Sequence, residues 1–104
     1  MIAVQPVDIG KYTCIAIEVD LPKTRLIAIQ APIGYIMCGA LDVRLLDATL
    51  RERAIVAGRA VGVRSVEQLL AAPLESVTQA AEELGIRIGT SGRDALQMMC
   101  DRAV

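Results

Sequence analysis

The feature that most constrains the fold is an alternation of apolar and polar side chains in the N-terminal third. Within Tyr12–Leu21, one alternating set comprises Ile15, Ile17, Val19 and Leu21, and the other comprises Ala16, Glu18 and Asp20. A period of two puts neighbouring side chains on opposite faces of a strand, so this stretch predicts a strand with one buried and one wetter face. Turn residues 22–24 and a second apolar stretch at 25–30 complete a predicted hairpin.

Two further strands are predicted around this hairpin. Residues 1–9 form one strand, which Pro6 confines to an edge or an end because proline cannot donate to a strand ladder. Residues 34–38 form the other. At Asp42 the period changes, and this residue can cap a helix whose apolar residues recur at spacings of three and four through Leu50.

The rest of the chain is predicted to alternate short strands with helices. Residues 54–57 indicate a buried strand, and Ser65 caps a helix that Pro73 interrupts. The helix predicted next carries an apolar stripe of Leu74, Val77, Ala81 and Leu84 and ends at Gly85. Residues 86–88 indicate a short strand, and Thr90 or Ser91 caps the last helix.

These elements predict an α+β (mixed α/β) fold in a single domain spanning residues 1–104. An antiparallel β hairpin region occupies residues 1–38, and strand-helix units occupy residues 39–104. Apolar residues make up 54% of the chain, above the usual ~45–50%, yet Phe and Trp are absent. A domain of this size cannot bury so many aliphatic side chains in its own core. We therefore expect some of them to be buried in the interface of a homo-oligomer.

Charge and hydropathy exclude several classes of partner. The net charge is −1, without a basic tract or interleaved aromatic residues, so we expect no nucleic-acid partner and no anionic membrane surface. The longest uncharged run, residues 26–41, is too short and too interrupted to span a membrane. Because residues 1–11 lack the pattern of a signal peptide, we expect a cytoplasmic protein.

The absence of histidine limits the available chemistry. Without an imidazole, neither a chain nor an identical partner can form a Cys-His dyad, a Ser-His-Asp triad or a histidine metal site. The cysteines Cys14, Cys38 and Cys100 form no C-x-x-C motif, and their odd number is expected of reduced thiols. Cys14 and Cys100 are interpreted as packing residues or passively exposed ones. We therefore predict no metal site and no cofactor.

Three strand-to-helix turns rich in glycine are the candidate ligand sites. The first junction is "MCGALD" at 37–42, the second is "AGRAVGVRS" at 57–65, and the third is "GTSGRD" at 89–94. Backbone N–H groups at such turns favour anions, and arginines in the second and third would favour a carboxylate or phosphate. The alternative is that the glycines serve short turns and the arginines are solvated or paired. The candidate ligand-binding residues are Gly39, Gly58, Arg59, Gly62, Arg64, Ser91, Gly92 and Arg93.

Cys38 is the candidate catalytic residue. A thiol near a helix N-terminus ionises more readily, and Asp42 is the nearest acid or base. However, a nucleophile normally needs a base, and the Asp42 carboxylate would oppose thiolate formation. The alternative is that Cys38 is a small buried residue where the strand ends.

Several blocks of sequence, in order, resemble the YunC-like family of small bacterial and archaeal domains of unknown function. They are "LPKT", "GYIMCGALDV", "AIVAGRAVGVRS", "APLESVT", "AEELGI" and the G-x-[ST]-G-R at residues 89–93, and the resemblance runs from about Tyr12 to Met99. It implies an α+β fold whose N-terminal β region takes part in tetramerisation. It implies no activity and no catalytic residue.

Three hypotheses for function follow. The leading one is a cytoplasmic homo-oligomer that binds a small anionic metabolite at the junctions. The second is an enzyme that uses Cys38 for acyl transfer or thiol redox chemistry, with Tyr35 or Asp42 as the nearest proton-handling partner. The third is a purely structural or protein-interaction module whose β region assembles subunits. Whether the chain is an enzyme stays open at this point.

Overall fold

One mixed β-sheet organises the residues that the computed structural model describes, 2–39 and 54–103. Its strands are β1 (Ile2–Ile9), β2 (Tyr12–Leu21), β3 (Thr24–Gln30), β4 (Gly34–Met37), β5 (Val56–Arg59) and β6 (Ser76–Val77). The spatial order is the chain order, and all pairs of neighbours are antiparallel except β4 and β5, which are parallel. The helices are α1 (Val66–Ala71), α2 (Gln79–Glu83) and α3 (Gly92–Arg102). The predicted α+β fold is confirmed.

Local chemistry explains where these elements begin. The Ser65 hydroxyl accepts from the Gln68 N–H at the start of α1, and the Ser91 hydroxyl accepts from the Asp94 N–H at the start of α3. Strand β1 lies at the edge of the sheet, as Pro6 predicts. The predicted helix that Asp42 would cap lies outside the described residues.

Helices α1 and α3 cover one face of the sheet, which we call the covered face. Cys14, Ala16, Ile27, Ile29 and Ile36 lie on it, and all are buried. Helix α3 contacts β1 and β4, and helix α1 contacts β3 and α3. Burial of these aliphatic side chains is the main stabilising contribution to the fold.

The buried face of β2 is the opposite of the one that the larger side chains predict. Small Cys14 and Ala16 face the helices, whereas Ile15 is 46% exposed on the other face. The physical reason is that α3 packs close to β2, where the Cys14 Sγ lies 3.6 Å from the Cys100 Sγ of the helix. A larger residue at position 14 would hold the helix away from the sheet.

The other face of β1 and β2 is apolar and partly exposed, and we call it the open face. Its members are Ile2, Val4, Ile15, Ile17 and Val19, which the β1–β2 register places on one side. Ile2 is 72% and Val4 is 66% exposed. Contiguous apolar surface of this kind marks an interaction site more often than an ordinary surface does.

Two predicted elements of the C-terminal part are wrong. The apolar stripe from Leu74 does not form one helix, because residues 76–77 pair with β5 as strand β6 and the helix α2 begins only after Thr78. The Thr78 hydroxyl donates to the Ile55 carbonyl at 2.6 Å and also accepts from the Ala57 N–H at 3.1 Å. These hydrogen bonds keep residues 76–78 paired with β5, and a helix at these residues would break that pairing.

The short strand predicted at residues 86–88 is also absent from the structure. Ile86 is buried and its N–H donates to the Ala81 carbonyl of α2 at 3.1 Å, and the following residues turn so that Ile88 is 69% exposed. The strand predicted at 54–57 lies two residues later, at Val56–Arg59. Within residues 2–39 and 54–103, no helix is both long and apolar enough to cross a membrane.

Candidate functional site

A cavity forms where the β2–β3 turn meets the first and second junctions. It has a volume of about 770 Å³, and we call it the hairpin cavity. Its lining residues are Asp20, Leu21, Lys23, Thr24, Arg25, Cys38, Gly39, Gly62, Val63 and Arg64. Four residues singled out in the sequence, Cys38, Gly39, Gly62 and Arg64, therefore contribute to one site.

Strand pairing brings the β2–β3 turn to the first junction. Beyond the end of β4, the Cys38 N–H donates to the Ile27 carbonyl at 2.9 Å, which extends the pairing with β3. Residue 27 lies only two positions from Arg25, close to the turn. The antiparallel register thus places the turn beside Cys38 and Gly39.

Two arginines join the parts of the cavity wall. An Arg25 Nη1 donates to the Arg64 carbonyl at 3.1 Å, which connects the β2–β3 turn to the second junction. The Arg59 Nη2 donates to the Gly39 carbonyl at 2.7 Å, which connects the second junction to the first. These long-range bonds hold the three segments around the cavity.

The described wall of the cavity carries more positive than negative charge. Lys23, Arg25 and Arg64 contribute three cations, and Asp20 contributes one carboxylate. Asp20 is paired with Arg25, whose Nε lies 2.7 Å from the carboxylate in a partly exposed ion pair. Lys23 and Arg64, both exposed, are left to set the sign of the local potential, which favours an anion.

Two residues of the wall have left-handed backbone. Gly62 has φ of +76°, and no heavy atom of residues 2–39 and 54–103 lies within 4 Å of where its Cβ would be. Lys23 has φ of +65°, which is uncommon and unfavourable for a residue with a side chain. A lysine therefore occupies a position at the tip of the β2–β3 turn where glycine would be less strained.

Cys38 is 2% exposed at the cavity wall, and its thiol is hydrogen-bonded. The Sγ accepts from the Ile27 N–H at 3.3 Å and donates to the Arg25 carbonyl at 3.6 Å. Tyr35 packs in a separate cluster with Met37 and Ala57, on the other face of the sheet. Asp42, the predicted acid or base, lies outside the described residues.

Two residues predicted to bind a ligand at the second junction do not line the cavity. Gly58 gives room to Leu74, since an added Cβ would lie 2.6 Å from the Leu74 Cδ1. Arg59 is a cross-link, which donates to Gly39 and also lies 3.5 Å from the Glu75 carboxylate. The buried Nε of Arg59 has no acceptor within the described ranges.

The third junction lies elsewhere, and its Gly92 is closely packed, whereas its Gly89 is exposed. A Cβ on Gly92 would be 2.2 Å from the Leu69 carbonyl oxygen, so glycine is needed there for α3 to contact α1. Ser91 is the α3 N-cap, and an Arg93 Nη1 donates to the Asp8 carbonyl at 3.4 Å. A separate cavity of about 310 Å³ touches Ser91 and Arg93, but it also carries the Glu67 carboxylate.

A metal site has no support in the residues that the structure describes. Within them, no three His, Cys, Asp or Glu side chains lie close enough together to hold a metal ion. The described wall of the hairpin cavity offers cations, the Asp20 carboxylate, backbone groups and one thiol.

Lys23, Thr24 and Arg25 are functional candidates that the sequence reasoning missed. The sequence predicts only a turn at residues 22–24 and the start of a strand at Arg25, because cavity lining depends on contacts between distant residues. A usable signal was nonetheless present. The predicted hairpin β2–β3 is followed closely by a predicted strand at residues 34–38, and in the structure the hairpins β2–β3 and β3–β4 bring the β2–β3 turn to the end of β4, where Cys38 lies.

Comparisons with known proteins agree with this architecture. The family model described as a domain of unknown function, DUF1805, matches residues 37–99. The uncharacterized protein YunC of Bacillus subtilis (strain 168) is 59% identical over 99 residues, which cover 95% of this chain and 98% of that protein.

A solved structure is similar over nearly the same extent. The crystal structure of TA1206, a protein of unknown function from Thermoplasma acidophilum, matches with a TM-score of 0.85 at 25% sequence identity. The match covers 95% of this chain and 93% of that one. The α+β sheet and its helices are therefore shared with that protein.

Proposed function

The chain belongs to the DUF1805 family of domains of unknown function, and from that premise we propose that it is a cytoplasmic homo-oligomer that binds a small anionic metabolite in the hairpin cavity. One observation carries the proposal: two glycine junctions that are distant in sequence meet at one cavity with three cations. The volume of about 770 Å³ lies within the range of about 300–1,000 Å³ for small-molecule pockets.

The backbone at Lys23 supports the same proposal. Left-handed conformations at residues other than glycine are unfavourable, and they concentrate at functional sites where the surrounding structure holds them. Lys23 adopts this unfavourable left-handed conformation at the rim of the hairpin cavity, where its ammonium can contact an anion. Gly39 and Gly62 let the anion approach the backbone closely.

The experiment is a thermal-shift screen against a panel of phosphorylated and carboxylated metabolites. Wild type is compared with the double variant Lys23→Ala/Arg64→Ala, which removes two exposed cations of the cavity. Arg87→Ala is the matched control, since Arg87 is an exposed cation outside the cavity. A ligand at 100 times its Kd stabilises the folded state by about 2.7 kcal/mol.

We expect at least one compound to raise the Tm of wild type and of Arg87→Ala equally and to leave the double variant unchanged. The proposal is wrong if the double variant shows the wild-type response to every compound. It is also wrong if no compound of the panel shifts the wild type. The unliganded Tm of each variant shows whether the substitution itself altered the fold.

The proposed oligomer assembles through the β region of residues 1–38. The open face supports this assignment because its aliphatic side chains are exposed in one chain and would be buried in a complex. The resemblance to the YunC-like family favours a tetramer. Light scattering should then give a mass four times that of the 11.1-kDa chain.

A pair of matched variants tests which surface assembles. Val4→Asp places a carboxylate on the open face, where Val4 is 66% exposed, and should reduce the mass. Ile88→Asp places one at an equally exposed apolar residue away from the sheet and should leave the mass unchanged. A monomeric wild type at micromolar concentration would contradict the assignment.

The second candidate function is an enzyme that uses Cys38. It is favoured by the position of Cys38 on the cavity wall and by the N–H of Ile27 that points at its sulfur. This hypothesis requires that Cys38 react with iodoacetamide at neutral pH faster than an ordinary cysteine does. Slow alkylation of the folded protein, with normal alkylation after unfolding, would leave anion binding as the function.

A further inference from the structure

Cys14 and Cys100 meet inside the protein although they are 86 residues apart in sequence. Cys14 lies in β2 on the covered face, and Cys100 lies in the last turn of α3. Their Sγ atoms are 3.6 Å apart and share a hydrogen bond, and both side chains are 1% exposed. Neither residue lines the hairpin cavity.

We propose that Cys14 and Cys100 form a peroxide-sensitive dithiol that closes to an intramolecular disulfide and links the C-terminal helix to the sheet. Two sulfurs already in contact need only a small movement to bond. The third thiol, Cys38, does not take part in the reaction, because it lies at the hairpin cavity, where it forms hydrogen bonds with the Ile27 N–H and the Arg25 carbonyl.

The two thiols have different roles in this reaction. Helix ends fray, and α3 ends at Arg102, so opening of one turn exposes Cys100 while the sheet stays intact. Cys14 pairs in register with Val7 of β1 and is followed by residues that pair with β3, so it stays inside. Burial and the hydrogen bond to Cys100 raise the pKa of Cys14 to about 12, which makes it a poor first nucleophile.

The reaction balances with hydrogen peroxide as the oxidant. The Cys100 thiolate attacks one peroxide oxygen, the O–O bond breaks, and Cys100 becomes a sulfenic acid as hydroxide leaves. The Cys14 sulfur then attacks the Cys100 sulfur, the S–O bond breaks, and the Cys14 proton leaves with the hydroxyl as water. Two thiols and one peroxide yield one disulfide and two waters, and the two electrons pass from sulfur to oxygen.

Peptide mapping of the peroxide-treated full chain tests the proposal. Trypsin cleavage at lysine and arginine releases Cys14 in residues 12–23, Cys38 in residues 26–44 and Cys100 in residues 94–102. Under non-reducing conditions, we expect the peptides 12–23 and 94–102 to be joined and Cys38 to be recovered as a free thiol. A link to the Cys38 peptide, or recovery of three free thiols, would overturn the proposal.

Single variants test the order of the two steps. Cys14→Ala should trap Cys100 as a sulfenic acid that dimedone labels, whereas Cys100→Ala should leave Cys14 unmodified. Labelling of Cys14 in Cys100→Ala would contradict the assigned roles. In wild type, closure of so long a loop should raise the Tm by about 20 °C. A lower Tm after oxidation would show that the fold must rearrange to form the bond, against the proposal.

Discussion

Gly39 and Gly62, in the first and second junctions, differ from Gly92 in the third in what surrounds them. Gly39 and Gly62 border an open cavity, and an added Cβ at Gly62 would meet none of the described residues within 4 Å. At the third junction, Gly92 is pressed against the Leu69 carbonyl of α1. The sequence pattern at all three is similar, with glycines followed by a helix cap.

Gly39 and Gly62 leave space that a ligand could occupy, whereas Gly92 leaves space for a neighbouring helix. The arginines divide in the same way. Arg64 lines the cavity, whereas Arg59 binds the Gly39 carbonyl and Arg93 binds the Asp8 carbonyl. A junction can serve a ligand only where both the backbone and the cation face open space.

The largest expected effect on stability is at Gly92 in the third junction. Gly92→Ala should lower the free energy of unfolding by about 3 kcal/mol, because a Cβ 2.2 Å from a backbone oxygen forces α3 away from α1. Gly39→Ala is the matched control, since its Cβ would lie 3.4 Å from the nearest Val61 atom, and should cost less than about 0.5 kcal/mol. Urea denaturation measures both, and equal losses would remove the distinction between the junctions.

A smaller effect is expected at Arg59, which ties the first two junctions together. Arg59→Ala should lower the free energy of unfolding by about 1–2 kcal/mol, because the partly buried hydrogen bond to the Gly39 carbonyl is lost. Its effect on anion affinity should be weaker than that of Arg64→Ala, since Arg59 does not line the cavity. An Arg59 variant of normal stability that fails to bind anions would make Arg59 a ligand contact.

The smallest expected effect on stability is at Lys23, whose backbone is strained at the rim of the hairpin cavity. Lys23→Gly should raise the free energy of unfolding by about 0.5 kcal/mol, because glycine relieves the left-handed backbone at φ of +65°. It should also weaken anion binding by removing a cation. Lys23→Ala, which removes the charge and keeps the strain, should weaken binding equally without a gain in stability, as urea denaturation and titration would show.

Local patterns predicted much of the fold. The alternation in Tyr12–Leu21, the turn after it and the serine caps at Ser65 and Ser91 each correspond to an element of the structure. The buried side of β2 was not predictable, because it depends on α3 approaching the small Cys14 side chain from the far end of the sequence. The apolar stripe beginning at Leu74 was misleading for a similar reason, since Thr78 bonds to a distant strand.

The candidate site was predictable only in part. Glycine and arginine near a helix start indicated Gly39, Gly62 and Arg64, which do line one cavity. The same pattern gave no means of separating them from Gly92, whose role depends on the distance between two helices. The contribution of Lys23 required the register of two hairpins.

The most direct test of the central claim is a titration of the isotope-labelled protein with inorganic phosphate, followed through backbone amide resonances. The account predicts saturable shifts at Gly39 and Gly62, a fixed resonance at Gly92, and loss of the shifts in Arg64→Ala. A shift at Gly92 as large as that at Gly62, or identical titrations of wild type and Arg64→Ala, would contradict it.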